Sequence, residues 1–203
     1  MAIAGIILAA GESSRMGRDK ALLPWPPGSA GSAKTLLSAA IHALSEHSDL
    51  VIVVAGANHA NLQPVVWACG ASLVRNPAPE MGQFSSLQTG LHDILGRGWD
   101  NALVTLVDRP PPKRETLAAL ARAFEDRGHD TWAVVPEFEG KHGHPILISR
   151  EMIEGFLKAP PTSNAREVEH SHQLHVRYLA VEDPAVTMNM NTPEDYASVK
   201  SKF

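Results

Sequence analysis

The sequence predicts a single-domain, Rossmann-like α/β fold: a mostly parallel, twisted sheet with helices on both faces. Three observations carry that prediction. Apolar runs of strand length recur at residues 2–9 (AIAGIILA), 50–55 (LVIVVA) and 102–107 (ALVTLV), each apolar on both alternating faces, as a strand covered on both sides must be. Segments of helical spacing separate them, and strands alternating with helices build a parallel sheet. The chain has 203 residues, 44% apolar and 20% charged, which suits one domain over residues 1–203 with a core of ordinary size.

In chain order, the first strand at 2–9 is followed by a glycine-bearing loop and a Pro/Gly/Ser-rich stretch, WPPGSAGSA, at 25–33, which reads as a surface loop. A helix is expected over 34–46, because Leu36, Ala40, Ile41 and Leu44 share one face. Strand 50–55, helix 58–67 and a short strand at 71–74 come next. Helix 84–95, strand 102–107, helix 114–127 and a short strand at 131–135 continue the alternation. EFEGKHGHPILIS at 137–149 reads as a glycine-centred turn between strands, and LHVRYLAV at 174–181 as a late strand. A closing helix is expected over 192–200, with Thr192 as its cap, proline next and acids in the first turn.

The bulk charge excludes some partners. A net charge of −4 gives no general affinity for nucleic acid or an anionic membrane, so any phosphate binding must be local. The single cysteine, Cys69, rules out an internal disulfide and fits a reducing cytoplasm; no cationic neighbour in sequence marks it as reactive. The apolar stretch IAGIILAA is too short to span a bilayer and follows no basic segment, so it is not read as a signal peptide. The expected location is cytoplasmic.

The first loop asks for a chemical explanation. LAAGESSRMGRDKALLP, residues 8–24, leaves the carboxyl end of the first strand, where open α/β sheets hold their ligands. Gly11 and Gly17 allow positive φ and close approach. Ser13 and Ser14 offer hydroxyls, successive backbone N–H groups can form an anion nest, and Arg15, Arg18 and Lys20 add positive charge. That inventory matches a polyphosphate. The spacing is neither that of the usual phosphate loop nor GxGxxG, and the same residues would also serve a plain turn decorated with solvated charges.

The order of the residues says more. The loop closely resembles LAAGxSxRMGxxKxLLP, the signature of the nucleotidyltransferase superfamily, and is complete from Leu8 to Pro24. Four further elements resemble the molybdenum-cofactor branch of that superfamily, the MobA-like and MocA-like guanylyl- and cytidylyltransferases. These are NPAPEMGQFSSLQTGL at 76–91, LVDRPPP at 106–112, GHPILIS at 143–149 and NMNTPEDY at 189–196. The resemblance implies the nucleotide-diphospho-sugar transferase type of fold. It also implies attack by an acceptor phosphate on the α-phosphorus of a nucleoside triphosphate, with Mg²⁺ as cofactor and pyrophosphate as leaving group.

On that resemblance Lys20 and Arg15 contact the triphosphate, and the amides of Leu8, Ala9, Ala10, Gly11, Ser13, Ser14 and Gly17 lie against the same nucleotide. Asp108 is the metal ligand and part of the catalytic set, with capping of the following helix as the plainer alternative. Asn191, beside Asn189, is the second candidate metal contact, or simply a turn; a neutral amide compensates less charge than a carboxylate. Asn76, Ser85 and Ser86 face the nucleotide or acceptor, or cap the helix that starts there. His144 is a candidate acceptor contact or a turn histidine. His142, His170, His172 and His175 have ligand-like spacing but no supporting cysteine, and read better as surface histidines.

The acceptor implied is a phosphorylated pterin, molybdopterin or its molybdenum form, and a molybdoenzyme or its chaperone is a partner of the kind such an enzyme hands product to. Ala10, where the guanylyl branch has a second glycine, favours CTP; Met16 and the asparagine-type terminus look more like the GTP users. Arg109 stands where the branch more often has Gln or Met. Two other readings stay open: a nucleotidyltransferase for a sugar or polyol phosphate, and a non-catalytic protein that escorts nucleotide or cofactor.

Overall fold

A strand apolar on both sides demands a helical layer on each, and the computed structural model, which describes residues 1–11, 16–17, 19–29, 34–160 and 162–199, supplies both. The first half alternates β1 (Ala4–Leu8), α1 (Leu36–Ser45), β2 (Leu50–Ala55), α2 (His59–Ala68), β3 (Ser72–Arg75), α3 (Gln83–Gly96) and β4 (Ala102–Leu106). Then come α4 (Arg114–Glu125), β5 (Ala133–Phe138), β6 (Lys141–His142), β7 (Ile146–Ile148), α5 (Arg150–Lys158), α6 (Ala165–Ser171), β8 (Val176–Ala180) and α7 (Pro193–Val199).

Along the sheet the strands run β3-β2-β1-β4-β7-β5, with β8 on the far side of β5 and β6 continuing the line of β7. The pairs β1·β2, β1·β4, β2·β3 and β5·β8 are parallel, and β7 lies antiparallel between β4 and β5. Ala4, Ile6 and Leu8 point to one face, where α3, α5 and α6 bring Phe84, Leu91, Ile153 and Val168. Ile7 and Ala9 point to the other, where α1, α2 and α4 bring Leu37, Leu62 and Phe124. The period-two alternation of β1 thus feeds two cores. Contact between α3 and the sheet is close at Gly90, where a Cβ would stand 3.0 Å from both Ile6 Cγ2 and Val54 Cγ2.

Two helices, α5 and α6, were not foreseen in the sequence. The nine residues of α5 do carry an apolar stripe, Met152, Ile153 and Phe156, over little more than one turn and interrupted by Gly155, whereas the seven of α6 bury only Val168. The turn expected within 137–149 is real, with Gly140 at φ 73°. Beyond it the register shifts: β6 pairs His142 with Glu137, and β7 pairs Leu147 with Val134. Residues 135–136 of β5 therefore face residues 143–146 of the returning strand, and the two extra residues push His144 and Pro145 out of the ladder.

Chain order explains where a ligand can sit. From β1 the chain crosses to β2 and β3 on one side, while β4 takes the other. The carboxyl ends of β1 and β4 therefore flank a topological switch point, with α7 packed beside them through Met190, Val199 and Leu36.

Candidate active site at the β1 and β4 carboxyl ends

A cavity of about 200 Å³ opens at the switch point, lined by Ala10, Gly11, Lys20, Gln83, Ser86 and Asp108 among others. Its floor is the edge of the sheet itself, since Leu8, Leu106 and Val107 reach it and Val107 N still donates to Leu8 O at 3.0 Å.

Two polar side chains of that lining, Lys20 and Asp108, meet a third, Asn191, from a distant part of the chain. Lys20 begins a short 3-10 turn (Lys20–Leu22) capped by Asp19, whose side chain accepts from Ala21 N at 3.0 Å. Asp108 stands two residues beyond β4, and its carbonyl accepts from Met190 N at 2.8 Å, which fixes the C-terminal segment against it. Met190 is fully buried, so its neighbour Asn191 is held at the site. The Asp195 carboxylate accepts from Asn191 N and Thr192 N, and Thr192 Oγ1 accepts from Asp195 N, which sets Asn191 at the entrance to α7. The Lys20 ammonium then donates to Asn191 Oδ1 at 3.0 Å and lies 3.4 Å from Asp108 Oδ2. The exposed Asn189 takes no part in this contact.

The other carboxylate oxygen, Asp108 Oδ1, is buried and has no hydrogen-bond partner among the described residues. A buried carboxylate oxygen without a donor is costly, and a hard divalent cation satisfies it well. Among the described residues no group of three His, Cys, Asp or Glu is placed to cage a metal. Asp108 with the amide oxygen of Asn191 therefore fits a cation that takes most of its oxygens from phosphate and water.

The loop is stapled by a residue that sequence reading missed. Asn58, on the turn after β2, donates from Nδ2 to Ala9 O at 2.9 Å and to Asp19 Oδ2 at 2.8 Å, and its Oδ1 accepts from Gly56 N at 3.1 Å. One amide thus joins the start of the signature loop to its end. Nothing in local spacing marks Asn58; only its place at the same sheet edge could have drawn attention to it.

Other predicted residues divide between wall and cavity. Ser86 lines the cavity, whereas Asn76 is 2% exposed and stands behind it. Asn76 Nδ2 donates to Ser85 Oγ and Ser86 Oγ at 2.9 Å each, and its Oδ1 accepts from Ala78 N. Ser85 Oγ in turn donates to Gly82 O, so it braces the start of α3. Gly17 takes φ 65° as expected, but Gly11 does not enter the left-handed region, which corrects the expectation for that residue; the left-handed turn is made at Gly17. Leu8, Ala10 and Gly11 reach the cavity, and Ala9 is buried in the ladder with its N–H on Val54 O. Ser13, Ser14 and Arg15 lie outside the described residues, as do Arg18 and part of the 25–33 stretch.

A second cavity of about 290 Å³ adjoins the first and shares Leu8, Gly82, Gln83 and Leu106 with it. Phe84, Leu87, Val104 and Ile146 make it apolar, while His144 and Asn164 are polar points on its wall. His144 reaches it because the register shift expels it from the strand; its backbone N–H donates to Val186 O at 2.8 Å, and its ring Nδ1 lies 3.5 Å from Val104 O. Burial, and then the nearby Arg109 guanidinium, push the His144 imidazole down to about 3, so it is neutral. Arg109 donates from Nη1 to Val186 O at 3.0 Å; burial works against its charge and Asp108 supports it. The other histidines lie apart from this site: His175 stacks on Trp132 and His142 on Tyr178, each with centroids 3.8 Å apart. Cys69 is half-buried, and burial raises its thiol pKa.

Comparisons with known proteins bear on this geometry. Residues 5–176 match the family model described as MobA-like NTP transferase domain. The molybdenum cofactor cytidylyltransferase of Escherichia coli K12 is 24% identical over 212 residues, spanning 100% of this chain and 97% of the relative. A probable molybdenum cofactor guanylyltransferase of Mycobacterium avium is 37% identical over 110 residues, which cover 54% of this chain and 51% of that one. In three dimensions the chain superposes on Rv0371c of Mycobacterium tuberculosis H37Rv with a TM-score of 0.81 at 24% identity, covering 98% and 97% of the two chains. The manganese complex of Rv0371c gives 0.76 at 22% identity over the whole of both chains. These superpositions establish the fold. No helix among the described residues is long and apolar enough to cross a membrane.

Proposed function

The chain belongs to the MobA-like NTP transferase family and is a nucleotidyltransferase; from that premise we propose that it moves CMP from CTP onto the terminal phosphate of molybdopterin or its molybdenum form, releasing pyrophosphate. The observation that carries the reading is the meeting of Lys20 and Asp108, which line the cavity at the sheet's switch point, with Asn191, which Lys20 contacts.

In this reading Lys20 and Arg15 bind the triphosphate and draw off negative charge as it develops on the pyrophosphate leaving group. The backbone of Ala10 and Gly11 lies along the same phosphates. Asp108 and Asn191 would hold a divalent cation, Mg²⁺ or Mn²⁺; bound there, it neutralises phosphate charge and polarises the α-phosphorus. The apolar cavity takes the ring system of the acceptor, with neutral His144 offering a hydrogen bond at its wall. The two cavities share Leu8 and Leu106, so acceptor and nucleotide lie side by side, and alignment of the reacting oxygens becomes the enzyme's main task. The proposed location is the cytoplasm, and the proposed receiver of product is a molybdoenzyme or its chaperone.

Ala10 and the end-to-end match with a cytidylyltransferase support CTP, whereas the mycobacterial guanylyltransferase matches about half of each chain. GTP is the alternative. The test is pyrophosphate release from CTP and from GTP, with Mg²⁺ or Mn²⁺ and purified molybdopterin, beside Lys20→Ala. Release with one nucleotide, lost in the variant, supports the reading and names the base. Release only with a sugar or polyol phosphate would move the acceptor class, and saturable nucleotide binding without turnover would favour an escort.

A further inference from the structure

The Lys20 ammonium bridges the two side chains that would hold the proposed cation: it donates to Asn191 Oδ1 at 3.0 Å and lies 3.4 Å from Asp108 Oδ2, beside the Oδ1 of the same carboxylate, which has no partner among the described residues. We propose that Lys20 stands in for the metal in the free enzyme, so the site excludes free divalent cation until a triphosphate draws the ammonium away. The inference rests on the assignment of Asp108 and Asn191 as metal ligands.

Charge and geometry carry it. Among the described residues, Asp108 brings a carboxylate to Lys20 and Asn191 a neutral oxygen. Lys20 sits 3.4 Å from that carboxylate, and Arg109 adds a second positive charge beside it. With the Lys20 and Arg109 charges beside the Asp108 carboxylate, a dipositive ion placed there meets repulsion that offsets its attraction to that carboxylate. The Lys20 side chain is 13% exposed, so its charge acts across a partly desolvated gap where screening by water is weak.

A triphosphate changes each part of the balance. Its oxygens attract the ammonium more strongly than one carboxylate and one amide do, and they also supply the metal with ligands. As Lys20 turns to phosphate, Asp108 and Asn191 are left facing the incoming cation. Metal binding is then conditional on nucleotide. The arrangement keeps the acidic site from being capped by cellular Mg²⁺ that no substrate accompanies, and it couples phosphate capture to metal capture through one flexible side chain.

The test is Mn²⁺ binding by electron paramagnetic resonance on the purified full chain without nucleotide, for wild type, Lys20→Met, Lys20→Arg and Lys20→Met/Asp108→Asn. Lys20→Met is expected to bind Mn²⁺ about tenfold or more tightly than wild type. Lys20→Arg, which keeps the charge, stays as weak as wild type, and the double variant loses the gain. For wild type with CTP or GTP, water-proton relaxation should show Mn²⁺ immobilised on the protein. Wild type binding free Mn²⁺ as tightly as Lys20→Met overturns the stand-in role. So does a Lys20→Met variant that binds none while nucleotide-loaded wild type does. If neither Lys20→Met nor nucleotide-loaded wild type immobilises Mn²⁺, the assignment of Asp108 and Asn191 has failed, and the inference with it. Should Lys20→Met fold poorly, Lys20→Gln gives the same reading.

Discussion

Lys20 Nζ donates to Asn191 Oδ1 at 3.0 Å across 171 residues of sequence. The contact joins the first loop of the chain to its last turn, and Asp108, from the middle, completes it at 3.4 Å from the same ammonium. The expectations below follow from that contact and from the packing around it.

Asp108→Asn should lower kcat by about a hundredfold or more, in line with losing one electrostatic contact at a reacting phosphate. The same change should leave the thermal midpoint nearly unchanged, because the weakened contact to Lys20 at Oδ2 is long, 3.4 Å, and is offset by removing charge shared with Oδ1, which has no donor among the described residues. Steady-state kinetics beside a melting curve checks both halves. A midpoint that falls in step with activity would make Asp108 a structural residue.

Asn58→Ala removes the staple between Ala9 O and Asp19 Oδ2. Its cost should appear chiefly as a higher KM for the triphosphate, about five- to thirtyfold, from one or two lost hydrogen bonds that hold the loop. Exchanging the pair, Asn58→Asp with Asp19→Asn, restores a donor and an acceptor between them and should recover part of that loss. Equal KM values in wild type and Asn58→Ala would remove Asn58 from the positioning of the loop.

His144 links stability to acid. Its imidazole is held down to about 3 in the fold against 6.5 in an open chain. Above 6.5 both states are neutral and the full stability is present. Between 6.5 and about 3 the unfolded chain takes up a proton that the folded one refuses, so stability falls with pH by up to about 1.4 kcal/mol per unit. His144→Gln keeps a polar group on the wall and has no such proton. Urea titrations at pH 7 and pH 5 should therefore show a smaller acid loss in the variant, and equal losses would mean that His144 is not held neutral.

Gly90→Val should be among the more damaging single changes in the helical layers. Its Cβ alone would lie 3.0 Å from Ile6 and Val54, both fully buried, so α3 must lift from the sheet. The expected loss is about 1–3 kcal/mol or more, typical of overpacking a closed core. Denaturant midpoints measure it directly, and Gly96→Ala on the same helix, with nothing within 4 Å, is the matched control.

Much of this protein is written locally. The doubly apolar runs at 2–9, 50–55 and 102–107 could only be interior strands, and the structure pairs them side by side as β2-β1-β4. The loop's composition left a plain turn open, and it was the order of its residues, through the resemblance to a family signature, that pointed to the family the chain belongs to. Thr192, Pro193 and the acids after them announced α7 by the ordinary rules of helix starts. The short helix α6 escaped because its seven residues bury only Val168, and α5 escaped although Met152, Ile153 and Phe156 mark an apolar face, which the sequence reading passed over.

What the sequence determined by itself, then, is the succession of most elements and the family signature of the first loop, because both depend on residues close together in the chain. Only the tertiary structure decided which groups share a cavity. Lys20, Asp108 and Asn191 come together because β1 and β4 are neighbours in the sheet and Met190 N binds Asp108 O. Asn58 reaches both ends of the signature loop because β2 flanks β1, and Asn76 turns to Ser85 and Ser86 behind the cavity wall. These are contacts over 9 to 171 residues, fixed by strand order and register, and no local pattern encodes them.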